Sequence, residues 1–251
     1  MTYCVGMKLD RGIVFMADTR TNAGVDNVSA FRKLFSWEVP GERTLTVMTA
    51  GNLATSQSVV SILDESIRAG ADTPSVFKAP SMFRVAQLVG RTLRDTISAS
   101  AVPGAAPGVK DDGDSVSRFQ ASMIIGGQIR EESPGLFMIY PEGNFVEAAE
   151  DTPFFQLGET KYGKPILSRA YKPDLSFEDA VKLLIVSFDS TIKSNLSVGM
   201  PLDLQIHVAD TLRLGHSLRF DERNEYFRTI SRGWSDAIEL AFDSLPDFEF
   251  P

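Results

Sequence analysis

An α+β fold of four layers (αββα), two antiparallel sheets packed face to face with helix pairs outside, is what the order of elements in this sequence predicts. Three observations carry it. Two hairpin-like pairs of β-type runs open the chain, two amphipathic helical stripes follow, and strands then helices recur in the second half. The regular strand-helix alternation of a parallel sheet is missing.

Residues 2–9 and 12–17 are short β-type runs separated by Asp10-Arg11-Gly12, a charged turn in which Gly12 can take a positive φ. Residues 31–38 and 43–50 form a second pair around Val39-Pro40-Gly41-Glu42, where Pro-Gly marks a turn. Four strands are therefore expected first. Past Gly51 the period changes: Val59, Leu63 and Ile67 recur every fourth residue and stop at Gly70, and a second stripe runs through Met82, Val85, Val89, Leu93 and Ile97. The proline- and glycine-rich stretch 102–108 and the acidic stretch 110–114 read as a loop inserted between layers. Strands are expected again at 121–128, 136–140 and 144–148, with Pro141-Glu142-Gly143 as a turn. Helix is expected at about 160–170 and 176–194, where Ala180, Leu183, Leu184 and Phe188 share a face. A strand at 203–209 and a last stripe through Phe227, Ile230, Trp234, Ile238 and Phe242 complete the order.

The composition narrows the function. The chain of 251 residues is 43% hydrophobic and 23% charged, as in an ordinary globular protein. A net charge of -8 argues against nucleic acid, because phosphate binding rests on Lys and Arg. Cys4 is the single cysteine, which excludes an internal disulfide, and no signal-like leader opens the sequence, so the cytoplasm is the expected location. The longest apolar stretches, such as that around Leu183 to Val186, fall far short of the roughly 20 residues of a membrane helix, so no membrane partner is expected.

Four residues suggest chemistry. Methionine ahead of a small residue is normally trimmed, which would leave Thr2 with a hydroxyl and a free α-amine. With a reference pKa of about 7.7 to 8.0, that amine is partly neutral near pH 7 and can accept the hydroxyl proton, so one residue supplies nucleophile and base. Asp18 closes the second strand, and the hairpin returns it to the start of the first, where it either orients a cation or merely forms a turn. Lys33 either points inward to pair with Asp18, its charge favouring an ionised threonine oxygen, or points out as a solvated edge lysine. Gly51, between a strand and a helix, offers a bare N–H to an oxyanion or serves the turn alone.

Together these features resemble the N-terminal threonine hydrolase arrangement of proteasome β-subunits. Within that superfamily the sequence is similar to Anbu, the bacterial ancestral β-subunit family. The likeness rests on Met1-Thr2-Tyr3-Cys4-Val5-Gly6-Met7, on Asp18-Thr19-Arg20-Thr21-Asn22-Ala23-Gly24-Val25-Asp26 and on Phe31-Arg32-Lys33. It continues in Leu157-Gly158-Glu159-Thr160-Lys161-Tyr162-Gly163-Lys164-Pro165 and in Ser194-Asn195-Leu196-Ser197-Val198-Gly199, covering about 2–209. The resemblance implies the N-terminal nucleophile hydrolase fold over 1–209, with 210–251 as a C-terminal extension of strand plus helix packing on the core or on a neighbouring subunit.

It implies a threonine-type endopeptidase. Thr2 is nucleophile and base, Asp18 and Lys33 its polarising pair, Gly51 the oxyanion donor, and Ser194 and Ser197 stand at supporting positions. Thr21, Phe31, Thr49 and Leu53 would line a mid-sized, largely apolar pocket for the residue before the cut. Two departures stand out: Glu159 occupies a position where serine is usual and Ser194 one where aspartate is usual. Both usual residues help set the protonation of the amine, so the departures bear on rate more than on fold, and a non-catalytic or specialised peptide-binding assembly protein is the alternative. No cofactor and no metal are implied. The partners implied are a peptide or unfolded-protein substrate and further copies of the chain, in rings or an open ring-like spiral; an ATP-dependent partner stays open.

Other signals are weaker. Gly158 to Lys164 nearly matches a phosphate loop, but Pro165 replaces the Mg²⁺-binding hydroxyl and removes a backbone donor. Asp111, Asp112 and Asp114 lack the spacing and distal Glu of a calcium loop. His207 and His216 are too few for a three-histidine metal site.

Overall fold

A computed structural model describes residues 2–22, 28–69, 74–101 and 118–250. Met1, the stretch 23–26 of the second motif, the Gly70 helix stop, and the 102–114 loop with Asp111, Asp112 and Asp114 lie outside the described residues.

The first sheet has the order β10-β1-β2-β11-β12, with β1 Tyr3–Leu9, β2 Gly12–Asp18, β10 Phe154–Gly158, β11 Leu202–Val208 and β12 Ser217–Phe220. The second has the order β5-β6-β7-β8-β9, with β5 Leu34–Val39, β6 Arg43–Gly51, β7 Ala121–Ile129, β8 Gly135–Ile139 and β9 Phe145–Glu147. Every pairing within them is antiparallel. The helices are α1 Leu53–Arg68, α2 Met82–Ala101, α3 Lys164–Ala170, α4 Phe177–Ser194 and α5 Glu225–Asp243. The chain is thus α+β, as its order of elements predicts.

Side-chain alternation divides the interior. On β1, Tyr3, Val5, Met7 and Leu9 join Leu184 and Phe188 of α4, whereas Cys4 turns to the opposite face beside Met48 and Ile124 of the second sheet. A Cβ on Gly6 would lie 3.0 Å from a methyl of Leu136 and 3.1 Å from one of Ile124, so the bare residue lets the sheets approach. Leu45 and Val47 of β6 pack against Val59 and Leu63 of α1 and Val85, Val89 and Leu93 of α2. One apolar cluster therefore lies between the sheets and one under each set of helices.

Helix boundaries follow side-chain caps. Asn52, Ser176 and Asn224 accept hydrogen bonds from the N–H groups of Thr55, Asp179 and Phe227, opening α1, α4 and α5. Ala180, Leu183, Leu184 and Phe188 are buried on α4, the face that the sequence periodicity marks. On α5 only the first half has such support: Phe227 and Ile230 pack against the core, but residues 236–250 are exposed. Among the described residues no helix is long and apolar enough to cross a membrane.

Three expectations need correction. Among the described residues six strands, not four, precede α1, because Arg20–Asn22 (β3) and Val28–Ala30 (β4) form a small separate sheet. Residues 31–33 are not the start of a strand: β5 begins at Leu34, and Lys33 stands in the connection before it. β10 has no counterpart in the sequence reading, since five residues ending at a glycine give too short a period to distinguish from loop.

The two sheets also meet through a polar contact. His207 on β11 is buried, its Nε2 lies 2.8 Å from Thr46 Oγ1 on β6, and its ring meets Phe15 edge-on at 5.2 Å. Burial pulls its pKa down to about 3, so the fold favours the neutral ring. A folded-state value below the unfolded one gives stability that is complete above pH 6.5 and is lost as pH falls toward 3. Urea unfolding between pH 7 and 5 will show a stability loss of about 2 kcal/mol that His207→Gln lacks.

Gly158 supplies a second test. It sits at φ +77, and a Cβ there would lie 1.9 Å from the carbonyl oxygen of Thr2. Gly158→Ala will therefore displace residues 2–3 from β10 and destabilise the fold by at least about 2 kcal/mol in the same unfolding experiment.

Candidate active site

Thr2 stands immediately before β1, where its carbonyl accepts a 2.7 Å hydrogen bond from the N–H of Glu159. The N–H of Tyr3 donates to Asp18 Oδ1 at 2.9 Å. These two bonds fix the beginning of the chain between β10 and the end of β2. Frayed termini lack such ties.

Asp18 is fully buried and collects three donors: Tyr3 N–H, Lys33 Nζ at 2.7 Å and Gly199 N–H at 3.3 Å. Burial raises its carboxyl above the ordinary value, and the Lys33 ammonium and both N–H groups work against that rise. Lys33 is the inward lysine of the two alternatives. Its Nζ also donates to the Arg20 carbonyl at 2.6 Å, so the cation is held from two sides. A buried pair of this kind contributes little net stability, but removing one partner strands the other at a cost of about 3–5 kcal/mol.

Thr2, Lys33 and Gly51 line one cleft of about 290 Å³. Thr21, Thr49, Ala50, Leu53, Ser56 and Gly158 complete its wall. Larger hollows of about 570 Å³ beside Phe154 and Tyr171 and about 600 Å³ beside Lys193 and Phe227 bring no such nucleophile and buried cation together. Gly51 lies at φ +106, and a Cβ there would come within 2.5 Å of the Gln120 carbonyl oxygen. Backbone geometry alone therefore demands glycine at the cleft rim.

The remaining sequence-predicted residues are placed less uniformly. Thr21, Thr49 and Leu53 line the cleft, but Phe31 does not, and Ser56 takes part instead. The wall is also more polar than expected, with the hydroxyl residues Thr21, Thr49 and Ser56 beside Ala50 and Leu53. Ser194 is exposed at the end of α4, and neither it nor Ser197 lines the cleft.

What the 194–199 segment brings to the site comes through other residues. Gly199 supplies the N–H to Asp18, and the position its Cβ would take is filled by the Arg20 guanidinium at 2.4 Å. Asn195 caps α4, donates to Glu159 Oε2 at 2.9 Å and accepts from Ser197 N–H at 2.9 Å. Sequence reading assigned the serines of this segment and passed over its glycine and asparagine. The signal available was Gly199 itself, next to Met200-Pro201 in a segment leading into a buried strand.

Glu159 is buried, and its Oε1 accepts from Lys161 N–H at 2.9 Å. Burial acts to raise its carboxyl, but the Lys161 N–H, the Asn195 amide, the Thr160 N–H and the Lys161 charge together hold it below the usual value. The Glu159 and Lys161 N–H groups are thereby engaged, which removes two donors that a phosphate loop would offer. Cys4, behind the cleft, donates weakly to the Thr49 carbonyl at 3.8 Å, and burial pushes its thiol far above the usual value, so it is inert packing.

Comparison with known proteins agrees with this geometry. Residues 113–206 match the family model described as "Proteasome subunit". Proteasome subunit beta 2 of Pyrobaculum calidifontis is 27% identical over 204 residues, covering 80% of this chain and 86% of that protein. Among solved structures, an Anbu (Gly-1) mutant from Hyphomicrobium sp. strain MC1 superposes with a TM-score of 0.90 at 47% identity, covering 100% of both chains. Anbu (ancestral beta-subunit) from Yersinia bercovieri gives 0.89 at 42% identity, covering 99% of this chain and 100% of that one. The helical assembly of the Anbu complex from Pseudomonas aeruginosa gives 0.89 at 46%, covering 98% of each. Full-length likeness at such identity, together with the proteasome-subunit match, leads to one conclusion: the chain belongs to the Anbu (ancestral beta-subunit) family of proteasome-subunit proteins.

Proposed function

We propose that this chain, once Met1 is removed, is a threonine-type endopeptidase. The observation that carries the reading is the convergence of Thr2 with the buried Asp18–Lys33 pair at one cleft. Thr2 Oγ attacks the peptide carbonyl carbon while the freed α-amine takes the hydroxyl proton. The oxyanion is received by the Gly51 N–H, and the amine passes the proton to the leaving amino group as the C–N bond breaks. Water then attacks the resulting ester, its proton returns through the amine to Thr2 Oγ, and the acid product leaves. Lys33 favours the threonine oxygen as it gains negative charge, and Asp18 holds Lys33 in place.

The architecture fits this reading. The two sheets with clusters between them and under the helices correspond to the αββα sandwich of N-terminal nucleophile hydrolases. Residues 1–209 would form that core and 210–251 an extension, in which β12 widens the first sheet and α5 projects. Ile238, Leu240 and Phe242 on the outer half of α5 are 49%, 71% and 73% exposed, a large apolar area to leave in water. The Pseudomonas aeruginosa relative forms a helical assembly. On these grounds copies of this chain join into a ring or open spiral in the cytoplasm, which would confine access to short peptides or unfolded chains.

A second reading is favoured by Glu159, whose carboxylate is committed to Asn195 and Lys161 at a position where the wider family has serine: the fold is retained for peptide binding without hydrolysis. The two separate in one experiment. A peptide epoxyketone will add to position 2 of the Met1-free protein, seen by intact mass and peptide mapping, and Thr2→Ala will take no label and lose peptide hydrolysis by at least about a thousandfold. Retention of Met1 in cells, or full activity in Thr2→Ala, rules out the peptidase.

Assembly has its own test. Leu240→Asp combined with Phe242→Asp will shift the sedimentation coefficient to that of smaller species while leaving the circular dichroism spectrum unchanged. Unaltered sedimentation would place the interface elsewhere.

A further inference from the structure

Resting on the peptidase reading, we propose that the cleft selects a neutral, hydrogen-bonding side chain, of the asparagine or threonine kind, at the substrate residue before the cut. Three features of the wall converge on this class.

The first is the hydroxyls. Thr21, Thr49 and Ser56 put three hydroxyl-bearing residues into the wall beside the apolar Ala50 and Leu53. A site lined by such groups discriminates strongly against a substrate that leaves them unpaired, whereas a purely apolar pocket discriminates weakly. The second is an unmet hydrogen bond: Thr21 Oγ1 is shut off from solvent and has no partner. Buried hydroxyls without partners are rare in folded proteins, and a bound side chain offering both a donor and an acceptor supplies what is missing after a χ1 rotation of Thr21.

The third is the balance of charge. Among the described residues Lys33 is the one cationic side chain in the wall, and it is already neutralised by Asp18 and bonded to the Arg20 carbonyl, so it has no unmatched charge to recruit an acidic residue. Among the described residues no Asp or Glu side chain lines the cleft to recruit a basic one. In the reactive form, whose Thr2 amine is neutral, a charged side chain entering the 290 Å³ space would meet no free countercharge among the described side chains. Neutral and polar is the combination left.

The test uses the full-length, Met1-free protein and two matched pairs of peptide epoxyketones, with asparagine against leucine and threonine against valine at the terminal position. The members of each pair nearly match in shape and differ in hydrogen bonding. The rate of adduct formation on Thr2 is expected to be about tenfold or more higher for the polar member. Thr21→Val and Ser56→Ala should each lower that ratio, and Thr21→Ser, which keeps the hydroxyl, should hold it. If Thr2 is labelled but leucine and valine react equally fast or faster, the preference is wrong and the peptidase reading stands. If none of the four compounds labels Thr2, both are wrong. The wild-type ratio decides the matter even if a variant does not fold.

Discussion

The buried ion pair between Asp18 and Lys33 is the constraint around which the site is organised. A carboxylate with no exposure needs its lone pairs filled, and the chain meets that need from three distant places. Tyr3 contributes from the first strand, Lys33 from the connection before β5, and Gly199 from the loop after α4. Each donor brings its own segment with it. Satisfying one buried charge thus fixes the start of the chain, the end of β2 and the 195–201 loop relative to one another, before any substrate is considered. Thr19 strengthens the arrangement by giving both its N–H and its hydroxyl to the Pro201 carbonyl.

Much of this was legible beforehand, for identifiable reasons. The helical stripes of α1, α2 and α4 and the strands of β1, β2, β6, β7 and β11 are long enough for periodicity to speak, and their buried faces are those the spacing marks. The closeness of Asp18 to Thr2 was legible because a hairpin folds sequence separation into contact, whereas the grouping of Lys33 and Gly51 with them came from the resemblance to proteasome β-subunits. What was not legible depends on backbone geometry. No periodicity announces that Gly199 offers an N–H to Asp18, that Asn195 rather than Ser194 reaches Glu159, or that Ser56 replaces Phe31 in the wall. The three-residue strands β3 and β4 and the five-residue β10 are set by their partners, not by their own composition.

The two halves of α5 show how one helix can serve two masters. Its first turns are capped by Asn224 and seated on the core through Phe227 and Ile230, which fixes its direction. Its later turns continue along that direction into solvent, apolar residues included, because a helix once nucleated propagates cheaply whether or not anything supports it. The core thereby acts as a mount that presents Leu240 and Phe242 at a defined angle.

The way the amino end is fastened has a bearing on maturation. The two bonds that seat it use the carbonyl of Thr2 and the amide of Tyr3; the nitrogen of Thr2 belongs to neither. Excision of the initiator therefore breaks neither of these two bonds, and the strand that presents the hydroxyl keeps both of them through trimming. Folding and activation become separable events: a chain can assemble its scaffold in the dormant form and gain its base afterwards through a single cleavage that spares both seating bonds.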